Sequence, residues 1–228
     1  MAPAVMSWSD PIDLYCERAD PSFWAEPANA LTNVAFLFAA AAAYMRWRRS
    51  GARDPATLAL ILVTGLVGLG SFIFHTIATR GAALADVIPI ALFIYGYLFL
   101  ALRRFLQFSL ASIFFVLIVF ALASRALSYL LPPPALNGSG DYLPPLVALI
   151  AIGASARAEA LRRGMLSAAA TFAVALVFRT IDRSVCAAVP LGSHFIWHLM
   201  NAAVLYLLLR TAIDAETTTA KCDPSHFR

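Results

Sequence analysis

Apolar segments alternate with short polar or arginine-rich segments along most of this 228-residue chain. Runs of about 18 to 20 apolar residues recur, which is the length at which a helix crosses the hydrocarbon layer of a bilayer. The pattern predicts seven membrane-spanning helices, at about 29–44, 57–75, 84–102, 106–124, 142–156, 165–178 and 193–209.

The composition supports this interpretation. Hydrophobic residues make up 61% of the chain, charged residues 13%, and the mean hydropathy is +0.77, whereas soluble proteins carry about 25% charged residues. We therefore predict an all-α integral membrane protein whose seven-transmembrane helix bundle occupies residues 29–211. Residues 1–28 would form a polar loop outside the membrane, and residues 212–228 a disordered cytoplasmic tail.

The arginines predict the orientation of the bundle. Nine arginines lie in the segments after spans one, three and five, against five on the opposite side. Because basic loops stay in the cytoplasm, the N-terminus is expected outside and the C-terminus inside. The net charge of +4 then reflects topology and not a surface for nucleic acid, since no basic face is free of the bilayer. The first ten residues lack the basic and apolar regions of a signal peptide.

Three of the four histidines lie in predicted spans, where ionisable groups are costly and usually functional. His194 and His198 are four residues apart, so they share one face of a helix. His75 ends a span that runs outward, and Asp86 begins one that runs inward. The predicted topology therefore places all four side chains at similar depth, near the outer face of the membrane.

Three imidazoles from two helices, with a fourth position open, form the ligand set of a catalytic zinc site. Asp86 is the candidate acceptor of the proton of an attacking water. Ser71 lies four residues before His75 on the same helical face, where its hydroxyl can contact the metal or a substrate oxygen. Taken singly, each residue has a simpler interpretation: hydrogen bonding between helices for a histidine, helix packing for Ser71, and an N-cap for Asp86. Their common depth favours a hydrolase.

These residues also resemble a known family. A Ser-x3-His motif, an Asp eleven residues later and a His-x3-His motif in the last helix are similar to the pattern of the alkaline ceramidases. That family belongs to a superfamily of seven-transmembrane zinc hydrolases that includes the adiponectin-receptor-like proteins. The segments 15–17, 26–33 and 179–186 also resemble the ceramidase branch. The resemblance covers about residues 13 to 210.

The resemblance implies zinc ligands at His75, His194 and His198, with Asp86 as the proton acceptor and Ser71 as a stabiliser of the oxyanion. The implied reaction is hydrolysis of the N-acyl bond of a ceramide-like lipid, which gives a fatty acid and a sphingoid base. The substrate would enter from the lipid bilayer. The residues themselves do not show that the bond is an amide.

The resemblance further implies calcium in the N-terminal segment. Its candidate ligands here are carboxylates, at Asp13, Glu17, Asp20 and Glu26. Two positions depart from the family pattern, because Leu14 and Ala19 stand where the family has an Asp and an Asn. A solvated acidic loop is the alternative interpretation.

Cys16 and Cys186 both fall on the predicted outer side, where oxidation is permitted. Two buried free thiols are the alternative, but the resemblance implies that these two residues form a disulfide. For Arg179 and Asp182, three residues apart, a structural ion pair is expected, with contact to a substrate headgroup as the alternative.

The rival function is a metal-binding seven-helix receptor or transporter without hydrolase activity. Transport usually requires carboxylates near the middle of the bilayer, and the acidic residues between 29 and 209 all lie at predicted span ends. An opsin is excluded because the one lysine, Lys221, is in the tail. The short arginine-rich loops favour a bacterial inner membrane, with the site towards its outer face. The sequence does not determine the oligomeric state.

Overall fold

The computed structural model describes residues 7–131 and 135–222, and every regular element within them is helical. A π-helical turn at Ala101–Phe105 extends α4, and a 3-10 segment at Ala135–Tyr142 precedes α6. The α-helices are α1 (Pro27–Thr32), α2 (Val34–Ser50), α3 (Pro55–Ile77), α4 (Arg80–Leu100), α5 (Leu110–Leu130), α6 (Leu143–Ser155), α7 (Glu159–Val185) and α8 (His194–Cys222).

Local sequence signals set several helix ends. The Asp54 carboxylate accepts from the backbone N–H of Thr57 at 2.7 Å, and Pro55 follows at the first position of α3. Both features satisfy or remove amides that have no partner within the helix. Thr79 caps the start of α4 in the same way. Gly51 ends α2 with a φ of 75°, a conformation that glycine adopts without the steric cost of a side chain.

Six helices of the described chain are long and apolar enough to cross a membrane, namely Pro27–Ser50, Pro55–Ile77, Arg80–Phe105, Leu110–Leu130, Glu159–Val185 and His194–Thr218. The fifth predicted span forms α6, which has 13 residues. At 1.5 Å per residue it is only about 20 Å long, against about 30 Å of hydrocarbon. The multi-pass helical character is thus confirmed, whereas the count of seven spans and the orientation are not.

The bundle is built from two close helix pairs. α3 packs along α4, α7 packs along α8, and α2 lies against both α3 and α8. The closest approach of α3 and α4 is at Gly70, where any side chain would overlap the backbone carbonyl of Ala85. Ser71 and Asp86 are the next residues on the two helices. The glycine contact therefore brings these two polar side chains together.

The N-terminal segment is fastened to one end of the bundle. Its backbone pairs with the turn between α3 and α4 through Ile12 N–H to Ala78 O at 2.7 Å and Gly81 N–H to Trp8 O at 2.9 Å. A disulfide joins Cys16 to Cys186, beyond the end of α7. The implied disulfide is thereby confirmed.

At the other end, the structure differs from the disordered tail predicted from residue 212. α8 continues as a helix to Cys222, and residues 223–228 lie outside the described part. The Asp214 carboxylate accepts from Arg46 of α2 at 2.6 Å, and Glu216 accepts from the backbone N–H groups of Arg53 and Asp54. These contacts involve α2 and the segment that joins α2 to α3. They hold the polar end of α8, and the sequence of α8 alone does not reveal them.

Candidate metal centre

The three histidines of the predicted spans form one cluster. His75 comes from the last turn of α3, while His194 and His198 come from the first two turns of α8. Their candidate ligand atoms all lie within 4.8 Å of one another. Each side chain is almost fully buried, with 1 to 2% of the residue exposed. Within the described residues, no other group of three or more metal-ligating side chains is found.

Glu26 fixes the ring of His75. The Nδ1 of His75 lies 2.6 Å from Glu26 Oε2, so this nitrogen carries the proton and donates to the carboxylate. The second nitrogen, Nε2, is buried without a hydrogen-bond partner. A carboxylate behind a histidine is the arrangement that presents the opposite nitrogen to a metal.

Thr32 fixes His198 in the same way. The Thr32 hydroxyl donates to the carbonyl of Ala28 at 2.7 Å and lies 3.1 Å from His198 Nδ1. Because its single proton is already used, the hydroxyl accepts from Nδ1–H, and Nε2 of His198 is left as the metal-binding nitrogen.

The third ring, His194, is held by stacking. The ring of Tyr15 lies parallel to it, with centroids 3.7 Å apart and an interplanar angle of 20°. His194 Nδ1 is buried without a hydrogen-bond partner.

The donor set fits zinc. Burial opposes protonation of an imidazole, and an unprotonated imidazole nitrogen is a zinc ligand. Orphaned ring nitrogens on His75 and His194 are what a metal ion between the three rings would satisfy. Three protein ligands leave a fourth coordination position, as in catalytic zinc sites.

Asp86 and Ser71 lie beside the cluster. The Ser71 side chain lies close to the Asp86 carboxylate, and Ser71 is 4% exposed. The Oδ1 atom of Asp86 is buried without a partner. This oxygen is therefore free to accept a proton or a hydrogen bond from a molecule bound in the site.

An elongated cavity of about 200 Å³ opens from this polar end into the bundle. Ser71, Asp86, His194 and His198 line one end, and apolar or aromatic side chains line the rest, as far as Tyr97 and Leu208. Residues 194 and 208 are about 21 Å apart along α8, which is more than half the thickness of the hydrocarbon layer. The shape suits a long acyl chain whose polar end meets the histidines.

A model of the Ceramidase family matches residues 15–227. The chain belongs to the Ceramidase family. The recognition made from the sequence motifs is thus confirmed, and membership supports an enzyme that hydrolyses the amide bond of ceramide. A comparison with curated proteins finds no match.

In this ceramidase-family chain, the start of α8 is fixed by Asp182. Its Oδ1 accepts from the backbone N–H groups of Ser193 at 2.7 Å and His194 at 2.9 Å, and Oδ2 accepts from Cys16 N–H at 3.1 Å. Gly192 has a φ of 66°, and a side chain there would overlap the Asp182 carboxylate. The predicted ion pair between Asp182 and Arg179 is absent from the ion pairs of the described residues, because the Asp182 oxygens bind backbone amides instead.

Two of the four candidate calcium ligands lie apart from the metal centre. Asp13 is exposed and 3.7 Å from Arg183. Asp20 accepts from the backbone N–H of Ser22 at 2.7 Å, a local turn that lowers the pKa of Asp20.

The other two carboxylates have protein partners. Glu17 accepts from the first two free amides of α1 at 2.6 and 2.8 Å, and burial raises its pKa in spite of them. Burial alone would raise the pKa of Glu26, but hydrogen bonds from His75 and Arg18 outweigh it and lower the pKa.

The cation that pairs with the Glu26 carboxylate is the Arg18 guanidinium. Its Nε lies 2.5 Å from Glu26 Oε1, its Nη2 donates to His75 O at 3.0 Å, and its Nη1 donates to Asp20 O at 3.2 Å. The predicted calcium site therefore finds no support, and these residues do not fit the ion.

Three contacts of the centre were not assigned from the sequence. Thr32 and Tyr15 had no predicted role, and Glu26 was assigned to calcium although it contacts His75. Glu26 precedes α1 and Thr32 is its last residue, and this six-residue helix overlaps the start of the first predicted span. Glu26 and Thr32 both lie near the start of an apolar segment, at the predicted depth of the histidines. This position is the sequence signal that could have identified the two residues.

Proposed function

We propose that this protein is a zinc-dependent amidohydrolase that cleaves the N-acyl bond of ceramide-like lipids within the membrane. The observation that carries the proposal is the cluster of three buried histidines at the polar end of an apolar cavity. Because apolar side chains line most of that cavity, its ligand is a lipid tail and not a small polar metabolite.

His75, His194 and His198 would hold the metal. A zinc ion bound there would supply Lewis acidity, which polarises a carbonyl and makes water a better nucleophile near neutral pH. Glu26 and Thr32 keep two of the rings in the tautomer that presents Nε2 to the ion. Tyr15 covers the face of the third ring and keeps it from rotating.

Asp86 would carry the proton. Its free Oδ1 takes a proton from the attacking water as the water oxygen bonds to the amide carbon. The carbon–nitrogen bond then breaks, and the same carboxyl group returns the proton to the leaving nitrogen. The products are a fatty acid and a sphingoid base. General acid–base catalysis of this kind contributes about 10²- to 10⁴-fold to the rate.

Ser71 would stabilise the negative oxygen that develops on the amide carbonyl. Its hydroxyl lines the cavity beside Asp86 and needs only to rotate towards the new charge. Loss of one such donor costs about 10²- to 10³-fold in rate.

The proposed placement is a bacterial inner membrane, with the N-terminus outside and α6 completing seven crossings. Two observations support this orientation. The arginines concentrate on the opposite side, and the Cys16–Cys186 disulfide requires an oxidising compartment. In spheroplasts, whose outer membrane has been opened, antibody should reach an N-terminal epitope tag and should not reach a C-terminal one. Equal access to both tags would refute the orientation.

Metal content and turnover of a short-chain ceramide, measured on one detergent-purified sample, test the enzyme proposal. Wild type should contain about one zinc per chain and release fatty acid. His198→Ala should lose both properties. Asp86→Asn and Ser71→Ala should keep zinc and lose at least about 100-fold in rate.

Asp141→Asn is the matched control. Asp141 is exposed and bonds Ser128, so this variant should match wild type. Zinc without turnover would leave a metal-binding membrane protein and refute the hydrolase. Absence of stoichiometric metal in wild type would refute the mechanism.

A further inference from the structure

Arg179 is a cation in the cavity and has no carboxylate within 4.0 Å among the described residues, although Asp86 lines the same cavity and attracts it. It lies on α7 and lines the cavity together with Ser71, Asp86 and the histidines of α8. Its Nε atom is buried and makes no hydrogen bond. Its one side-chain hydrogen bond runs from Nη1 to the Tyr15 hydroxyl, at 3.4 Å.

The other arginines behave differently. Among the described residues, every arginine except Arg179 either pairs with a carboxylate or is exposed. Arg18, Arg46, Arg80, Arg104, Arg162, Arg163, Arg183 and Arg210 have carboxylate partners within 4.0 Å, while Arg48, Arg49, Arg53, Arg103, Arg125 and Arg157 are exposed.

Aromatic rings surround the Arg179 guanidinium, and the Asp86 carboxylate attracts it from beyond contact distance. The guanidinium carbon lies 5.1 Å from the centroid of the Tyr142 ring, 5.3 Å from that of Trp197 and 6.0 Å from that of Tyr15. Aromatic faces attract a cation but leave the in-plane N–H groups free. On the backbone side, Asn137 donates to the carbonyl of Arg179 at 3.0 Å.

This position adjoins the metal centre. Tyr15 contacts both groups, because its ring stacks on His194 and its hydroxyl lies 3.4 Å from Arg179 Nη1. A ligand that reaches from the histidines past Tyr15 therefore meets the guanidinium. A buried charge without a carboxylate at contact distance is unfavourable in an apolar environment, and a guanidinium presents its donors in a fork that matches the oxygens of a carboxylate or a phosphate.

We propose that Arg179 is the binding site for an anionic oxygen group of the lipid in the cavity. One source of this group is the carboxylate of a fatty acid, which the proposed function would release beside it. The other source is an anionic headgroup, such as a phosphate. The inference rests on the proposed function only for the identity of the lipid, because anion binding can be measured without turnover.

The test compares pairs of ligands in which one member carries an anionic group and the other is neutral. Dodecanoate against dodecanol, and a short-chain ceramide 1-phosphate against the same ceramide, are titrated into purified protein in nonionic detergent. The proteins are wild type, Arg179→Met, Arg179→Lys and the control Arg183→Gln, which removes an exposed arginine one turn further along α7. Each is measured with zinc and after chelation, so that binding of a carboxylate to the metal is separated from binding to the arginine.

Arg179→Met should weaken binding of the anionic ligand at least about tenfold, the effect of one charge-assisted hydrogen bond, and leave its neutral partner unchanged. Arg183→Gln should match wild type. An effect confined to dodecanoate assigns the site to the fatty acid, and one confined to the phosphate assigns it to a headgroup. Either result supports the anion site, even if wild type hydrolyses no ceramide.

Thermal unfolding and zinc content verify that each variant is folded. If Arg179→Met does not fold, the test uses Arg179→Lys. This variant keeps the positive charge but loses the paired N–H donors of the guanidinium, so anion binding should weaken several-fold. Equal binding of charged and neutral ligands by wild type would overturn the proposal, as would equal binding of the anion by wild type and the folded variants.

Discussion

The hydrogen bond from His75 to Glu26 gives a direct test of how the centre is organised. Replacing Glu26 by Ala removes the acceptor 2.6 Å from His75 Nδ1, and Glu26→Gln keeps a neutral acceptor of nearly the same shape. Without the carboxylate, the His75 ring can rotate or change tautomer, and Nε2 no longer faces the other two histidines. Zinc affinity should then fall.

The magnitude follows from the contact. Loss of a carboxylate behind a metal-binding histidine reduces metal affinity about 10- to 100-fold, in agreement with the 1.5 to 3 kcal/mol or so of a hydrogen bond to a charged group. We expect the larger effect for Ala and the smaller for Gln. Stability should fall as well, because the Arg18 side chain, 5% exposed, would lose its partner, and breaking a buried ion pair costs about 3 to 5 kcal/mol.

Two additional variants separate zinc affinity from stability. Glu17→Gln weakens a carboxylate that binds only the amides of α1, so it should lower the unfolding temperature and leave zinc affinity unchanged. The double variant Arg18→Met/Glu26→Gln removes both buried charges, so it should recover part of the stability without recovering zinc affinity. The assay is competition for zinc with a chelator of known affinity, alongside thermal unfolding. Unchanged zinc affinity in Glu26→Ala would refute the assigned role of the carboxylate.

Three further outcomes are expected. Replacing Cys16 and Cys186 by serine should lower stability by about 2 to 5 kcal/mol, measured as thermal unfolding, and a reducing agent should then have no added effect; an equal unfolding temperature would contradict this. Gly192→Ala should disturb the Asp182 cap of α8 and reduce zinc content, whereas zinc content equal to wild type would show that the cap does not position the histidines. Calcium chelation should leave the unfolding temperature unchanged while Arg18→Gln lowers it, and stabilisation of wild type by added calcium would contradict the role given to Arg18.

The sequence was sufficient for features that depend on local order along the chain. Hydrophobic runs of spanning length predict membrane helices, because the backbone N–H and C=O groups of a segment in lipid must hydrogen-bond to each other. The spacing of His194 and His198 predicts that they share a helix face because the period of the helix is fixed. The position of His75 at the end of one span and of Asp86 near the start of the next predicts a common depth. The structure places these residues together.

Tertiary packing determined what each polar group contacts. Glu26 precedes α1, which packs against α3, so it reaches His75 and Arg18, a pairing that spacing does not encode. The carboxylate of Asp182 binds the start of α8 and not Arg179, three residues away, because Gly192 lets the chain turn closely over it.

The sequence by itself thus determined the membrane class, the family and the candidate metal-binding histidines, since helix periodicity and hydrophobic length are local properties. Only the tertiary structure decided which partner each histidine ring contacts, that Arg18 pairs with Glu26, one of the implied calcium ligands, and that Arg179 has no carboxylate within 4.0 Å among the described residues. The physical reason is that hydrogen-bond and ion-pair partners are selected by distances between segments far apart in the chain, and these distances exist only once the helices have packed.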